Sequence, residues 1–242
     1  MKVWQERTSL LLGEEGLDRL SASRVAVVGI GGVGAMAAEM LVRAGVGHMV
    51  LIDADTVSES NLNRQLPALR STLGRSKCSV MRDRLLDINP ELDLECAETY
   101  LDEQHIPSVL GPYALDCVVD AIDTLSPKIA LIQYCLSSGI FHVSSMGSGS
   151  KTDATKVRLA DISGTYQCPL AHMLRKRLHK LGITSGFPAV FSTEKPRKES
   201  VVLEESRNKK SQTGTVSYLP AVFGCVCAQA IIQHIVGIEH NC

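Results

Sequence analysis

The stretch from Arg24 to Asp55, RVAVVGIGGVGAMAAEMLVRAGVGHMVLIDAD, constrains this chain more than any other. An apolar β-rich run, Val25 to Val28, feeds Gly29-Ile-Gly31-Gly32-Val-Gly34; a helical pattern capped near Gly45 follows, and a second apolar run ends at Asp53. The order is strand, glycine loop, helix, strand. In such a loop Gly29 permits the tight turn, Gly31 lets backbone N–H groups approach a phosphate, and Gly34 lets the helix pack on the strand. The helix N-terminus then faces an anion. Asp53 falls close to the ~20-residue offset at which a carboxylate takes ribose hydroxyls. Glycine patterns also arise for packing alone, but here the strand before, the helix after and the acid all agree. A nucleotide site built on Gly29, Gly31, Gly32, Gly34 and Asp53 is therefore expected, while the motif does not specify the nucleotide.

With 242 residues, 45% of them hydrophobic, the chain can bury the core of one large α/β domain. The expected organisation is a nucleotide-binding half over residues 1–150 and a substrate and dimer half over 151–242. Formal net charge is −1 but unevenly spread: Lys151 to Lys210 holds 13 Lys and Arg against 6 Asp and Glu, leaving 12 basic and 20 acidic residues elsewhere. A segment carrying +7 in a chain whose remainder carries −8 hints at an acidic or nucleic-acid partner, against the plainer reading of a solvated lysine-rich loop. The eight cysteines form no CxxC pair and sit mostly in apolar runs, which fits reduced cytosolic thiols and argues against a four-cysteine zinc site. The acidic, weakly apolar N-terminus reads as neither a signal nor a transit peptide.

Hydrophobic periodicity divides the remainder. Met1 to Leu20 is helical in pattern; an amphipathic helix carrying Val80, Met81, Leu85, Leu86 and Ile88 ends at Asn89-Pro90. Strands are expected at Asp93 to Tyr100, Leu115 to Asp120, Ile140 to Met146, Lys156 to Asp161 and Pro188 to Ser192, with helices at Pro127 to Ser137 and Leu170 to Leu181. Strand–helix alternation predicts a Rossmann-like, mostly parallel sheet with helices on both faces, and chemistry at the carboxyl ends of its strands. Thr193 to Gly214, charged and poor in apolar residues, is expected to be a mobile loop. Leu219 to Ile238 has about the length of a membrane span, but Pro220, Gln229, Gln233 and His234 interrupt it, so a buried or dimer-facing helix is expected.

Between Asp53 and Lys77 the chain offers Asp53, Asp55, Asn61, Arg64, Gln65 and Lys77, in or just beyond the loop above the second strand. A dinucleotide needs few cations there, whereas a nucleoside triphosphate needs cations for its β- and γ-phosphates and amides for their oxygens. Asp120 and Asp123 close a further strand, and Asp123 is placed to hold Mg²⁺. Gly147-Ser-Gly149-Ser-Lys151-Thr152 is not a Walker A loop, because Ser150 separates the last glycine from the lysine and strand-like sequence follows.

The glycine loop, the LIDAD run with Asp53 and Asp55, SNLNRQ with Asn61, Arg64 and Gln65, Lys77, INP at Ile88 to Pro90 and DAIDT at Asp120 to Thr124 together resemble the ubiquitin-activating/MoeB/ThiF family of ATP-dependent adenylating enzymes. Within it, RQLPALRSTLGRSK and Ser192-Thr-Glu194 are most similar to the branch that dehydrates threonylcarbamoyladenosine in tRNA. The resemblance implies ATP and Mg²⁺, with Asp53 on the ribose, Asn61, Arg64 and Lys77 on the phosphates and Asp123 on the metal. It further implies a cytoplasmic homodimer in which an N-terminal arginine of the neighbouring subunit, here Arg7, completes the phosphate site. A late cysteine of some relatives falls near Thr213, so no thioester is expected.

On that reading ATP activates the threonine carboxylate, and the carbamoyl oxygen closes an oxazolone ring with loss of AMP. The basic second half then meets tRNA, through Arg175, Lys176 and Lys180 on one helix, flanked by His172 and His179, and through Arg207, Lys209 and Lys210 in the following loop. A sulfur-relay protein is a permitted partner and membrane attachment is not expected. The alternatives are an activator of a ubiquitin-like sulfur carrier, in which Cys168 is a candidate thiol, a nicotinamide-dependent oxidoreductase, and a nucleotide sensor without turnover.

Overall fold

A computed structural model describes residues 2–203 and 211–238. Seven strands form one sheet in the order β3-β2-β1-β4-β5-β7-β6: β1 Arg24–Val28, β2 His48–Ile52, β3 Asp93–Ala97, β4 Cys117–Asp120, β5 Phe141–Ser145, β6 Val157–Asp161 and β7 Pro188–Ser192. Neighbours from β3 across to β7 pair in parallel, and only β6 runs antiparallel, on β7. The chain leaves β1 in one direction to build β2 and β3, then returns to place β4 on the other side of β1. That reversal opens a crevice between β1 and β4, where ligands of such sheets bind.

Side chains alternate across a strand, so one apolar strand serves two cores. Val25 and Val27 point to the face covered by α1 (Glu6–Ala22), α2 (Gly34–Ala44), α3 (Lys77–Ile88) and α7 (Tyr218–Val236). Ala26 and Val28 point to the face covered by α4 (Ile106–Leu110) and α5 (Leu125–Ser138), and α6 (Pro169–His179) continues that layer over β7. The expected doubly covered sheet is the observed one.

Two expectations change in detail, and the buried C-terminal helix is found. The N-terminal helix is broken at Gly13, whose φ of 77° and ψ of 167° divide α1 into an outer arm and an inner helix. Leu17 and Leu20 of the inner part are buried, whereas Leu10 and Leu11 of the arm are 82% and 83% exposed. Within 193–214, Val201–Leu203 (β8) and Ser211–Thr213 (β9) pair antiparallel, so the segment is a hairpin whose connection lies outside the described residues. The apolar C-terminal stretch is α7, whose inner stripe, Leu219, Phe223, Cys227, Ala228 and Ile231, is buried against the sheet and α2. Its mean hydropathy of 1.7 suits a membrane span by length and composition, yet 44% of it lies inside the molecule.

Candidate active site

At the carboxyl end of β1 the chain turns at Gly29 with φ of 89°, and its N–H donates to the Ile52 carbonyl at 2.8 Å. A Cβ on Gly34 would sit 1.8 Å from the Gly29 carbonyl oxygen, so only glycine lets α2 begin so close to the strand. Gly31 differs: a Cβ there would meet nothing nearer than the Gln65 amide at 3.8 Å, so the space above the loop is open to a ligand. Gly32 packs on Pro220 of α7 instead and ties the loop to that helix.

Asp53 closes β2. Its two oxygens accept from Ile30 N–H at 2.6 Å and Asp55 N–H at 2.7 Å, so the carboxylate expected at the ribose also holds the glycine loop. Burial pushes its pKa up and the Lys77 ammonium opposes that rise. Lys77, almost fully buried as the first residue of α3, lays its ammonium on the exposed Asp55 carboxylate at 2.7 Å.

Asn61 spends its amide on the turn that carries it, accepting from Ser58 N–H at 3.2 Å, and is itself buried. Arg64 donates to the Ser60 carbonyl at 2.9 Å and to Asn63 Oδ1 at 2.8 Å. Beside it, Gln65 buries Oε1 with no hydrogen-bond partner. A buried unpaired acceptor is costly, and the other end of the same amide, Nε2, lies nearest the opening above Gly31. A ribose hydroxyl or adenine amino group is the kind of donor that would satisfy the acceptor.

The two acids after β4 part company. Asp123 is exposed at the strand end, whereas Asp120 is 0% exposed and cannot touch a nucleotide. Its Oδ2 accepts from Ser144 Oγ at 2.6 Å and pairs with Lys128 Nζ at 2.8 Å, and its Oδ1 takes Ile122 N–H at 3.1 Å. The expected direct contact through Asp120 is thus corrected: it is an internal brace beneath the loop that presents Asp123. Lys128, which also donates to the Ile122 carbonyl at 2.9 Å, was missed because a lysine within a helical pattern reads as solvated. Its position eight residues after an aspartate that ends a strand was the available signal.

Arg7 lies exposed on the outer arm of α1, and the described residues of this chain do not join it to the glycine loop. On α6, Lys176 and Lys180 are exposed, but Arg175 is half-buried and donates to Thr165 Oγ1, so it turns inward rather than onto the basic face. Arg207, Lys209 and Lys210 lie outside the described residues. Among the described residues no group of three His, Cys, Asp or Glu is placed to hold a metal by itself.

A family model described as the ThiF family matches residues 5–242. The chain belongs to the ThiF family. Among its relatives, the tRNA threonylcarbamoyladenosine dehydratase of Bacillus subtilis (strain 168) is 41% identical over 236 residues, 94% of this chain and 92% of that protein. The ThiF-family fold is matched in turn by the crystal structure of the Escherichia coli tRNA N6-threonylcarbamoyladenosine dehydratase, TcdA, in complex with ATP. Its TM-score is 0.89 at 34% identity, covering 98% of this chain and 96% of that one. The molybdopterin-synthase adenylyltransferase of Escherichia coli (strain K12) is 32% identical over 154 residues, only 64% of this chain. The nicotinamide-dependent alternative finds no support among these relatives.

Proposed function

We propose that this protein is an ATP-dependent tRNA threonylcarbamoyladenosine dehydratase. The observation that carries the reading is the reach of the similarity. The dehydratase of Bacillus subtilis matches 94% of the chain, second half included, whereas the sulfur-carrier branch represented by molybdopterin-synthase adenylyltransferase matches 64%. What the second half recognises separates the two branches, so this difference favours a tRNA substrate and a cytoplasmic site of action.

ATP binds across the crevice, its ribose at Asp53 and Gln65 and its phosphates over Gly29, Gly31 and Gly34. Asn61, Arg64 and Lys77 line the phosphate side. Lys77 leaves Asp55, and Arg64 leaves the Ser60 carbonyl, to neutralise phosphate oxygens; these exchanges are local because Arg64 sits in the loop above β2 and Lys77 opens the helix that follows it. Mg²⁺ fits the donor set, since it is commonly held by one or two carboxylates with phosphate oxygens completing its shell. Asp123 would supply that carboxylate, and the ion, when bound, would offset negative charge on the phosphates.

A free carboxylate is a poor electrophile. Attack of the threonine carboxylate on the α-phosphorus expels pyrophosphate and gives a mixed anhydride with AMP. The carbamoyl oxygen then attacks the acyl carbon, the bond to AMP breaks, and an N–H proton of the threonine nitrogen leaves as the ring C=N forms. The protein's contribution to both steps is positioning and charge neutralisation. The active unit is a homodimer, with Arg7 reaching the partner's phosphates, and a sulfur-relay protein is a second partner.

The test is incubation with ATP, Mg²⁺ and tRNA carrying threonylcarbamoyladenosine, followed by mass analysis of the nucleosides. A nucleoside lighter by one water, with one AMP and one pyrophosphate per ring, is expected. Pyrophosphate release only on addition of a ubiquitin-like sulfur carrier would replace this reading with the other branch, and ATP bound but intact would leave a sensor.

A further inference from the structure

Beside Lys128, which is paired with Asp120, Lys151 is a second buried lysine that the nucleotide chemistry leaves unused. Its residue is 3% exposed, and its Nζ folds back to donate to the Gly147 carbonyl at 3.1 Å. Gly147 stands two residues beyond the end of β5, so the amine sits at the carboxyl edge of that strand. From β1 to β5 is two strand spacings, roughly 10 Å. An acyl group joined to the α-phosphate of a nucleotide held over Gly31 would extend across β4 in this direction.

Three further hydrogen bonds fasten the lysine's loop to the nucleotide side. Ser150 N–H donates to the Gly214 carbonyl at 2.8 Å, and Asn63 Nδ2, next to Arg64, donates to the adjoining Thr215 carbonyl at 3.0 Å. Tyr218 Oη, at the start of α7, donates to the Thr152 carbonyl at 2.7 Å. Phosphate loop, 213–218 segment and Lys151 loop therefore form one continuous wall.

An ammonium has three donors to place, and the hydrogen bond to the Gly147 carbonyl uses one of them among the described residues. The charged and titratable groups facing it are Glu194, after β7, and the Cys168 thiol at the start of α6. Glu194 is already engaged by the N–H groups of Thr152 at 2.9 Å and Asp153 at 2.7 Å. Burial, the dominant influence, holds the Lys151 pKa below the usual lysine range despite those two groups, which raises the fraction present as free amine. A depressed lysine pKa also means that the charged form burdens the fold: stability rises with pH between the folded and unfolded values, and removing the amine relieves that cost.

We propose that Lys151 is the proton acceptor of ring closure, its free amine taking the proton that leaves the threonine nitrogen as the carbamoyl oxygen closes on the acyl carbon and AMP departs. The proposal rests on the dehydratase reading. The balance is complete without a further reagent: the threonine N–H bond, the acyl–oxygen bond to AMP and the carbamoyl C=O π-bond break; the ring carbon–oxygen bond, the ring C=N π-bond and an N–H bond on Lys151 form, leaving it as ammonium.

The experiment compares wild type with Lys151→Met, which keeps the length without the amine, and Lys151→Arg, which keeps the charge but accepts no proton near neutrality. Each is given ATP, Mg²⁺ and threonylcarbamoyl-tRNA in single turnover, and pyrophosphate and the cyclic nucleoside are followed separately. Both variants are expected to bind ATP and release the first-turnover pyrophosphate as wild type does. Ring closure should fall about 10²-fold or more, the loss typical of a removed general base, and its rising limb with pH should vanish. Ethylamine should restore part of the rate to Lys151→Ala. In the free protein, the Lys151 amine should titrate by NMR below the ordinary lysine range. Wild-type ring closure in Lys151→Met, an unchanged pH profile or an ordinary Lys151 titration would each overturn the proposal. A wild-type protein that makes no cyclic nucleoside would instead overturn the dehydratase reading, so the two failures are distinct.

Discussion

Asp120 ends β4 and Asp123 follows three residues later, yet the first is wholly buried and the second exposed. With both side chains wholly buried, the Asp120–Lys128 pair is held by hydrogen bonds from Ser144 and Ile122 as well as by charge. Breaking such a pair from one side strands a charge indoors, at about 3–5 kcal/mol. Lys128→Met is accordingly expected to lower the stability measured by urea unfolding by that amount, and Asp120→Asn in the same chain to recover part of it. A change below about 1 kcal/mol would mean that the pair behaves as a surface bridge. Asp123→Ala and Arg64→Ala act at the surface of the crevice, where substitutions usually cost within about 0.5 kcal/mol. Both are expected to abolish ATP-dependent pyrophosphate release and to melt near the wild-type temperature. Normal release from either folded variant would remove its proposed role. The continuous burial of the central strands was legible in their apolar runs, as were Asp53 and Asp120 at the strand ends. Which of two acids faces inward was not, because that depends on Lys128 arriving from a helix that the local pattern does not orient.

At the scale of elements, α2 carries the glycine loop at its N-terminus and is positioned by α7. A Cβ on Gly224 would lie 2.4 Å from the Val33 carbonyl oxygen and 2.8 Å from Met36 Cβ. Gly224→Ala should therefore push α7 off α2, cost about 1–3 kcal/mol as overpacking, and weaken ATP binding in calorimetry through the displaced loop. Unchanged stability and affinity would show that the two helices are free to slide. The apolar run of α7 was readable from sequence, but its partner was not, since α2 lies almost 200 residues away along the chain. On the opposite face of the sheet, α6 turns Lys176 and Lys180 outward and Arg175 inward. If α6 meets the tRNA backbone, Lys176→Glu with Lys180→Glu should weaken tRNA binding, flatten its dependence on salt and spare ATP affinity. Each lost phosphate contact removes about one released counterion. An unchanged salt slope would move the RNA site off this helix.

For the molecule as a whole, the unpartnered feature is the outer arm of α1. Val3, Leu10 and Leu11 are each more than four-fifths exposed, and Arg7 lies among them. The helical pattern there was legible, but the break at Gly13, which lifts the arm off the core, needed a positive φ that only the fold reveals. Exposing that much apolar surface is costly unless something covers it, and the homodimer proposed above would cover the leucines and carry the arginine to a neighbouring site. The consequence is a test that separates action across subunits from action within one. Arg7→Ala and Asp123→Ala should each be inactive alone. When the two are mixed and allowed to exchange, one site of every mixed dimer combines an intact Arg7 from one chain with an intact Asp123 from the other. Random pairing makes half the dimers mixed, so about a quarter of wild-type turnover should return. If Arg7 serves its own chain's site, every site in the mixture still lacks one group, and no turnover returns at any ratio.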